Sequence, residues 1–569
     1  MLLVLTNAIF IVRLFYLQVI RHNYYENAAL ASQMKEYEIP AERGIIAAHN
    51  GKSTLPVVLN EKLFTLFADP VYIEDPAKAS RELEQIIGGD AQEYQKLMTK
   101  QGTRYVVIAK KLNKSQSERI NKLGFKGIGT REVPYRYYPQ GSLAAQILGF
   151  VNDNGDGKYG VEQALDKELR GEPGRLKAIT DAAGVPLAAN DDNVNIEPKT
   201  GKKILLTIDI GMQKQLEDLL KAGLERAKSS SGGALIMETK TGAIKAMANY
   251  PTFDPTYFYK IDDSNRFNNA LVSSPLEVGS IMKPLTAAAA LDLGVVSKDQ
   301  TYYDPSYYKI DGAVVRNIEE DGGAGTRSIR DILQLSLNTG ATWLLMQMGG
   351  GQINQLARER WHDYMTKHYM FGRLTGIEQG YEAPGVIPDP NDGFGLNIRY
   401  ANTSFGQGMA ATPLQMGAAL ASVINGGTYF QPRLVEKTVD EGGKENLFSP
   451  KIIRKDVVSR QVSNSIREMM EYTITKNAYL YGFRREHNAY SIGGKTGTAE
   501  IAKPNGGYYE DRYNGMFMGY VGGDQPQYVI VVRVNEPKIA GYAGSQAAAP
   551  LFVDLTEMLI DNFGVIPKS

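Results

Sequence analysis

Apolar and polar positions change their rhythm several times along this chain, and each change marks a different kind of element. From Met1 to Val12 the sequence is almost wholly apolar; Arg13 interrupts it, and Leu14 to Ile20 resumes an apolar, aromatic character before Arg21 and His22. A spanning helix needs about 20 apolar residues, so the clean run is short. No basic start or small-residue cleavage site of a secretory signal precedes Tyr24. The run is therefore read as a membrane anchor over residues 1–20, with a start further upstream expected and Arg13 reaching toward the head groups. From Tyr24 to about Pro198, short strand-like runs (Leu63 to Phe67, Tyr105 to Ala109) mix with polar helical stretches such as Ser80 to Ile87 and Ser115 to Leu123. This predicts an irregular α+β module. The Asn-, Asp- and Gly-rich connection Asp181 to Lys203 separates it from Ile204-Leu205-Leu206-Thr207-Ile208-Asp209, where a long amphipathic helix begins. A boundary near Gly201 gives a first module over 21–200 and a second over 201–569.

The second module opens with an apparent hairpin, Gly233 to Met237 and Ala243 to Ala248, joined by the turn Glu238 to Gly242. Far downstream come Ile492 to Ile501, Met516 to Val521 and Tyr528 to Val534. The last two alternate like antiparallel strands around Gly522-Gly523-Asp524-Gln525-Pro526, and a helix is predicted from Ala547 to Asn562. Strands at both ends with helical sequence between them predict one antiparallel sheet flanked by helices, so the fold class is α+β.

Length and charge narrow the function classes. A chain of 569 residues exceeds a single core, and 63 basic against 63 acidic residues gives no electrostatic reason for a nucleic-acid partner. Cysteine is absent, which removes thiolate metal sites, thiol catalysis and disulfides. His362 and His368 lack HExxH spacing, so no catalytic metal is expected. Asn152-Asp153-Asn154-Gly155-Asp156-Gly157 hints at a calcium loop, but Gln163 stands where a bidentate Glu is wanted, and a solvated turn is the better reading. No cofactor is expected.

What remains is serine chemistry. Ser280 follows a glycine and precedes Ile281-Met282-Lys283-Pro284 and an apolar helical stretch that stops near Gly294. It stands at a helix start, because Pro284 is tolerable only within a first turn. Lys283 then lies on the same face, one turn above the Ser280 hydroxyl. A buried lysine can lose its proton and accept the serine's, and a helix N-terminus favours developing negative charge. The SxxK spacing alone carries little. Ser32 with Lys35 and Ser306 with Lys309 repeat it, and an N-capping serine beside a solvated lysine would look the same. Lys495-Thr496-Gly497-Thr498 is likewise one of three Lys-Thr-Gly runs. Lys199-Thr200-Gly201 falls in the polar connection, and Lys240-Thr241-Gly242 in the hairpin turn, where turn geometry accounts for Gly242. Only the third follows Gly493-Gly494 on a strand, where the glycines would let a substrate backbone approach as an added edge partner. Lys495 could there draw a substrate carboxylate, with the Thr496 and Thr498 hydroxyls bonding to it. Ser336-Leu337-Asn338 lies between the two stretches as a polar relay.

In this order the three stretches resemble those of the class B penicillin-binding proteins, which are membrane-anchored peptidoglycan transpeptidases, and the similarity covers nearly all of the chain. Arg13-Leu14 with Leu17-Gln18-Val19, Arg43-Gly44-Ile45, Arg136-Tyr137-Tyr138-Pro139, Leu148-Gly149-Phe150-Val151 and Gly160-Val161-Glu162 are similar to the family's anchor and pedestal motifs. Leu206-Thr207-Ile208-Asp209, Thr241-Gly242-Ala243-Ile244, Phe253-Asp254-Pro255, Gly406-Gln407-Gly408 and Thr412-Pro413-Leu414-Gln415 are similar to its transpeptidase landmarks. Asn535-Glu536-Pro537-Lys538 and Ala548-Ala549-Pro550-Leu551-Phe552 resemble the division-type branch, with the elongation branch as runner-up. Glu277-Val278-Gly279 departs from the usual Glu-Pro-Gly, which implies a less rigid approach to the nucleophile.

The resemblance implies a penicillin-binding α+β fold on a pedestal (21–200), tethered to the cell membrane with the catalytic domain (201–569) outside the cytoplasm. It implies that Ser280 attacks the carbonyl between two D-alanines of a stem peptide, with Lys283 as general base and the backbone N–H groups of Ser280 and Thr498 as oxyanion hole. Ser336 would relay a proton to the leaving amine. Asn338 would bond to the substrate backbone and Lys283, and Lys495 would bind substrate, with Thr496, Gly497 and Thr498, while keeping Lys283 neutral. The implied partners are peptidoglycan stem peptides, β-lactams, the membrane, a polytopic glycosyltransferase and other division proteins. The alternatives are a carboxypeptidase or β-lactamase-like hydrolase and, outside catalysis, a β-lactam sensor or division scaffold.

Overall fold

The computed structural model describes residues 2–25, 34–39, 41–179, 194–317, 323–391, 393, 395–484, 487–503 and 507–569. The apolar N-terminus forms helix α1 (Leu2–Phe15), continued by a π-type turn over Tyr16–Ile20. Among the described residues no helix is long and apolar enough to cross a membrane.

The first module is built on strands β1 (Ile46–Asn50) and β2 (Ser53–Ala68), followed by helices α2 (Pro76–Ile87) and α3 (Ala91–Met98), strand β3 (Val106–Leu112), helix α4 (Lys114–Lys122) and strand β4 (Ile128–Tyr137). β2 is long enough to pair with β1 at its start and with both β3 and β4 further on. The helices begin where the sequence supplies caps: Asp75, Asp90 and Asn113 accept from the backbone N–H groups of Lys78, Gln92 and Gln116. Leu66, Leu83, Met98, Ile108 and Ile120 close a separate core over the sheet. Part of the polar connection after Asp181 proves to be a strand, Val194–Ile196, which pairs with Gly174–Ile179; its residues 181–193 lie outside the described residues.

The second module starts with β5 (Lys203–Asp209) and helix α5 (Ile210–Arg226), then the hairpin β6 (Ser231–Glu238) and β7 (Ile244–Tyr250). Helices α6 (Lys283–Asp292), α7 (Ile329–Gln334), α8 (Asn338–Met348) and α9 (Pro413–Ile424) lead to strand β8 (Val435–Val439) and helix α10 (Arg460–Tyr481). Strands β9 (Ser491–Ala502), β10 (Tyr508–Gly522) and β11 (Pro526–Asn535) and helix α11 (Ala549–Asn562) complete it. One antiparallel sheet runs in the order β7-β6-β11-β10-β9, with β9 at its edge.

The alternation predicted for Met516 to Val521 separates two apolar layers instead of core from solvent. Met516, Met518 and Tyr520 enter one core with residues of α6, α9 and α10, whereas Phe517 and Val521 enter another with residues of α5 and α11. Helices cover both faces, so every residue from Met516 to Val521 is buried.

Pairing, and not only a linker, joins the two modules. β5 runs parallel to β1 and antiparallel to β8. Three motif segments of the first module also converge: Arg43 Nε donates to Glu162 Oε2 and Arg136 Nε to Glu162 Oε1, both at 2.8 Å, on a carboxylate with no solvent exposure. A carboxylate that far from water is tolerable only with such charge-assisted partners. The Asn152–Gly157 segment is a tight turn, in which Asn152 Oδ1 accepts from the N–H groups of Asn154 and Asp156, and Asp156 pairs with Arg170 at 2.9 Å.

Candidate active site

The nucleophile candidate sits where two helical geometries meet. Gly279–Met282 forms a 3₁₀ turn that runs directly into α6, with Lys283 as its first residue and Pro284 within its first turn. This geometry projects Ser280 and Lys283 from one face. Lys283 is fully buried, and its Nζ donates to Ser280 Oγ at 2.9 Å, Asn338 Oδ1 at 2.8 Å, Ser336 Oγ at 3.2 Å and the Ser336 carbonyl.

Ser336 occupies the sharp turn between α7 and α8 with φ of +60°, a left-handed conformation that costs a non-glycine residue roughly 1–2 kcal/mol. The turn presents its hydroxyl to two lysines at once. Lys495 Nζ donates to Ser336 Oγ at 2.9 Å, to the Thr496 carbonyl at 3.0 Å and to Thr496 Oγ1 at 3.3 Å. Asn338 opens α8 and is steadied by a network that sequence reasoning missed. Its Nδ2 donates to the Arg316 carbonyl at 3.2 Å, and the next residue, Thr339, donates from its hydroxyl to both oxygens of the buried Asp304 at 2.8 Å.

β9 carries the third stretch along the edge of the sheet and packs it against the nucleophile turn. A Cβ on Gly497 would lie 2.9 Å from the Val278 carbonyl and 3.0 Å from the Ile281 side chain. Thr498 Oγ1 accepts from the Gly544 N–H at 3.1 Å. The glycines before Lys495 also serve the interior. A Cβ on Gly493 would strike the Tyr520 ring at 2.4 Å and one on Gly494 the Phe517 ring at 2.4 Å, so these glycines make room for aromatic rings of the interior.

The other copies of the motifs lie in unrelated settings. Gly242 turns the β6–β7 hairpin at φ +70°, and Gly201 packs against the Leu169 carbonyl, where a Cβ would come within 1.8 Å. Lys309 lies on the strand Tyr307–Ile310, and Ser32 is outside the described residues. His368 is held by the Val457 carbonyl at 2.7 Å and by Arg454 at 3.0 Å, which is a packing arrangement.

Comparison with known proteins returns two family models. A family model described as the penicillin binding protein transpeptidase domain matches residues 232–557, and one described as the penicillin-binding protein dimerisation domain matches residues 38–206. The chain belongs to the penicillin-binding protein transpeptidase family. This penicillin-binding protein is 30% identical over 565 residues to Stage V sporulation protein D of Bacillus subtilis, covering 98% of this chain and 84% of the relative. It is 25% identical over 563 residues to peptidoglycan D,D-transpeptidase FtsI of Escherichia coli, covering 98% and 90%. In fold it is similar to the crystal structure of penicillin binding protein 2X from Streptococcus thermophilus, with a TM-score of 0.72 at 22% identity over 93% of this chain and 81% of that one.

The Glu277-Val278-Gly279 approach of this penicillin-binding protein, expected to be less rigid, is braced by side chain and backbone together. Glu277 Oε1 accepts from the Gly408 N–H and from the Tyr508 hydroxyl, both at 2.9 Å. Burial pushes the Glu277 carboxyl up, against the pull of those two hydrogen bonds, and Glu500 adds a smaller upward push. Gly279, at φ +59°, donates its N–H to the Gly406 carbonyl at 3.0 Å. The only sequence signal for this bracing was the position of Glu277, three residues before the serine.

Proposed function

We propose that this penicillin-binding protein is a peptidoglycan D,D-transpeptidase acting through an ester on Ser280. The observation that carries the reading is the buried side-chain nitrogen of Lys283, which touches Ser280, Ser336 and Asn338 together. For the first step the Ser280–Lys283 hydrogen bond reverses: a neutral Lys283 accepts the Ser280 proton while Oγ attacks the carbonyl between two D-alanines. Lys283 is removed from bulk water, and the Ser336 hydroxyl that it contacts is shared with Lys495. The oxyanion is assigned to the backbone N–H groups of Ser280 and Thr498, a pairing supported by the closeness of Gly279 to Thr498, whose carbonyl lies 2.8 Å from where a Gly279 Cβ would stand.

Ser336, in contact with both lysines, passes the proton to the departing D-alanine amine. The ester is then opened by an acceptor amine, whose proton returns along the same path. Asn338 bonds to the donor backbone, and Lys495 with Thr496, Gly497 and Thr498 receives the donor carboxylate. β-Lactams enter as donor mimics and stay on Ser280.

The setting we assign is the dividing septum, outside the cytoplasm, with residues 1–20 as the membrane tether, residues 21–200 as pedestal and residues 201–569 as catalytic domain. The relative named FtsI supports this. The relative named Stage V sporulation protein D, at 30% identity, favours a sporulation setting as the second reading. A polytopic glycosyltransferase and other division proteins are assigned as partners on the resemblance alone. Fluorescent penicillin labelling followed by peptide mass mapping tests the chemistry: a label on Ser280 supports it, and a folded protein left unlabelled there overturns it. A fluorescent fusion found at septa of growing cells supports the septal setting, whereas one confined to sporulating cells supports the second.

A further inference from the structure

The loop Gly406-Gln407-Gly408 is held at three successive residues, each time by a segment of the active site. The Gly406 carbonyl accepts from Gly279 at 3.0 Å, Gln407 Nε2 donates to Glu500 Oε2 at 2.8 Å, and the Gly408 N–H donates to Glu277 Oε1 at 2.9 Å. Glu277 and Gly279 precede the nucleophile, and Glu500 lies two residues beyond Thr498. The same Glu277 oxygen accepts from Tyr508 at the start of β10. Glu277 thus connects three elements through one carboxylate oxygen: the turn into Ser280, the loop after residue 405 and the β9–β10 hairpin.

The fit is close. Gly406 has φ of +86°, and a Cβ there would lie 2.1 Å from the Gly279 carbonyl; a Cβ on Gly279 would lie 2.8 Å from the Thr498 carbonyl. Gly279 is therefore wedged between the loop and β9, and a sideways shift of the loop carries the Ser280 backbone with it. Stability alone explains Glu277 poorly. Its Oε2 is buried and has no hydrogen-bond partner among the described residues, and a buried polar atom in that state costs the folded protein free energy.

We propose that Glu277 is a positioning residue for the transpeptidase reaction: by holding the Gly408 N–H and the Tyr508 hydroxyl on one oxygen, it keeps Ser280 seated against Lys283 and β9. The proposal rests on Ser280 being the acylated serine. Catalytic alignment is sensitive to such support, since a 1 Å misplacement can cost about a hundredfold in rate. Glutamine retains an oxygen acceptor at the same reach, so Glu277→Gln separates positioning from charge.

The test is stopped-flow acylation of the full chain by a fluorescent penicillin, resolving the pre-covalent dissociation constant from the acylation rate constant, beside thermal melting. Glu277→Ala should lower the acylation rate constant by about tenfold or more, with the dissociation constant and melting temperature little changed. Glu277→Gln should recover most of the rate. Tyr508→Phe should lose part of it and add nothing further in the Glu277→Ala background. If Glu277→Ala does not fold, Tyr508→Phe alone carries the comparison. Wild-type rates in Glu277→Ala and Tyr508→Phe, or a glutamine variant no faster than the alanine one, would overturn the proposal. An unaltered protein that takes no label on Ser280 would instead overturn the acyl-enzyme reading beneath it.

Discussion

Lys283 Nζ stands 2.9 Å from Ser280 Oγ while the lysine as a whole has no exposure to solvent. The lysine is kept from bulk water and fixed among four oxygens, the placement that the proposed general-base role requires. Lys283→Ala should lower penicillin acylation by about 10²–10⁴-fold, the range typical of losing a general base. Ser280→Ala should abolish the label. Gel fluorescence with intact-mass spectrometry reads both, and a Lys283→Ala protein that acylates at the normal rate would remove lysine from the mechanism.

Ser336 combines a left-handed backbone with a hydroxyl shared by two lysines. Ser336→Gly should relieve about 1 kcal/mol of conformational cost and leave the melting temperature level or higher, yet slow cross-linking of stem peptides sharply. Ser336→Ala should slow it as much without the gain in stability. Equal turnover in the glycine variant and the wild type would show that the hydroxyl carries no proton.

Glu162 unites Arg43 and Arg136 in the first module beneath complete burial. Glu162→Ala leaves two guanidiniums without their shared carboxylate and should cost about 3–5 kcal/mol, read as a lower denaturation midpoint. Because Ser280 and Lys283 lie elsewhere, the fraction that remains folded should still take penicillin.

Glu217, on α5, accepts from the Ala144 N–H and Gln213 Nε2, both at 2.8 Å. Burial pushes its carboxyl up despite those two hydrogen bonds. A carboxyl raised in the folded state keeps its proton where the unfolded chain has already lost its own. Its stabilising contribution is therefore complete below the ordinary value and is lost as pH rises through the raised one. Glu217→Gln should remove that loss, so the difference in melting temperature should move in the variant's favour as pH rises above the ordinary carboxylate range. A difference that stays constant with pH would show that Glu217 titrates normally.

Some of this architecture could be read before folding and some could not, for identifiable reasons. Pro284 restricts the register of the helix start, and the strand-forming runs from Ile492 to Val534 have no competing pattern, so the helix and the sheet were legible from local rules. The packing reason for Gly493-Gly494 was not legible, because it depends on where the Phe517 and Tyr520 rings lie. Glu277 was missed as a brace because its partners, Gly408 and Tyr508, are distant in sequence.

By itself, the sequence determined the order of the three stretches, the first-turn placement of Ser280 and Lys283, and the α+β pattern, since each depends on near neighbours and backbone sterics. Only the tertiary structure decided that Ser336 turns left-handed to bridge two lysines, that both faces of the sheet are covered, and that Arg43, Arg136 and Glu162 meet. Those outcomes depend on contacts between residues tens to hundreds of positions apart, where burial and charge pairing choose among conformations that local preferences leave open.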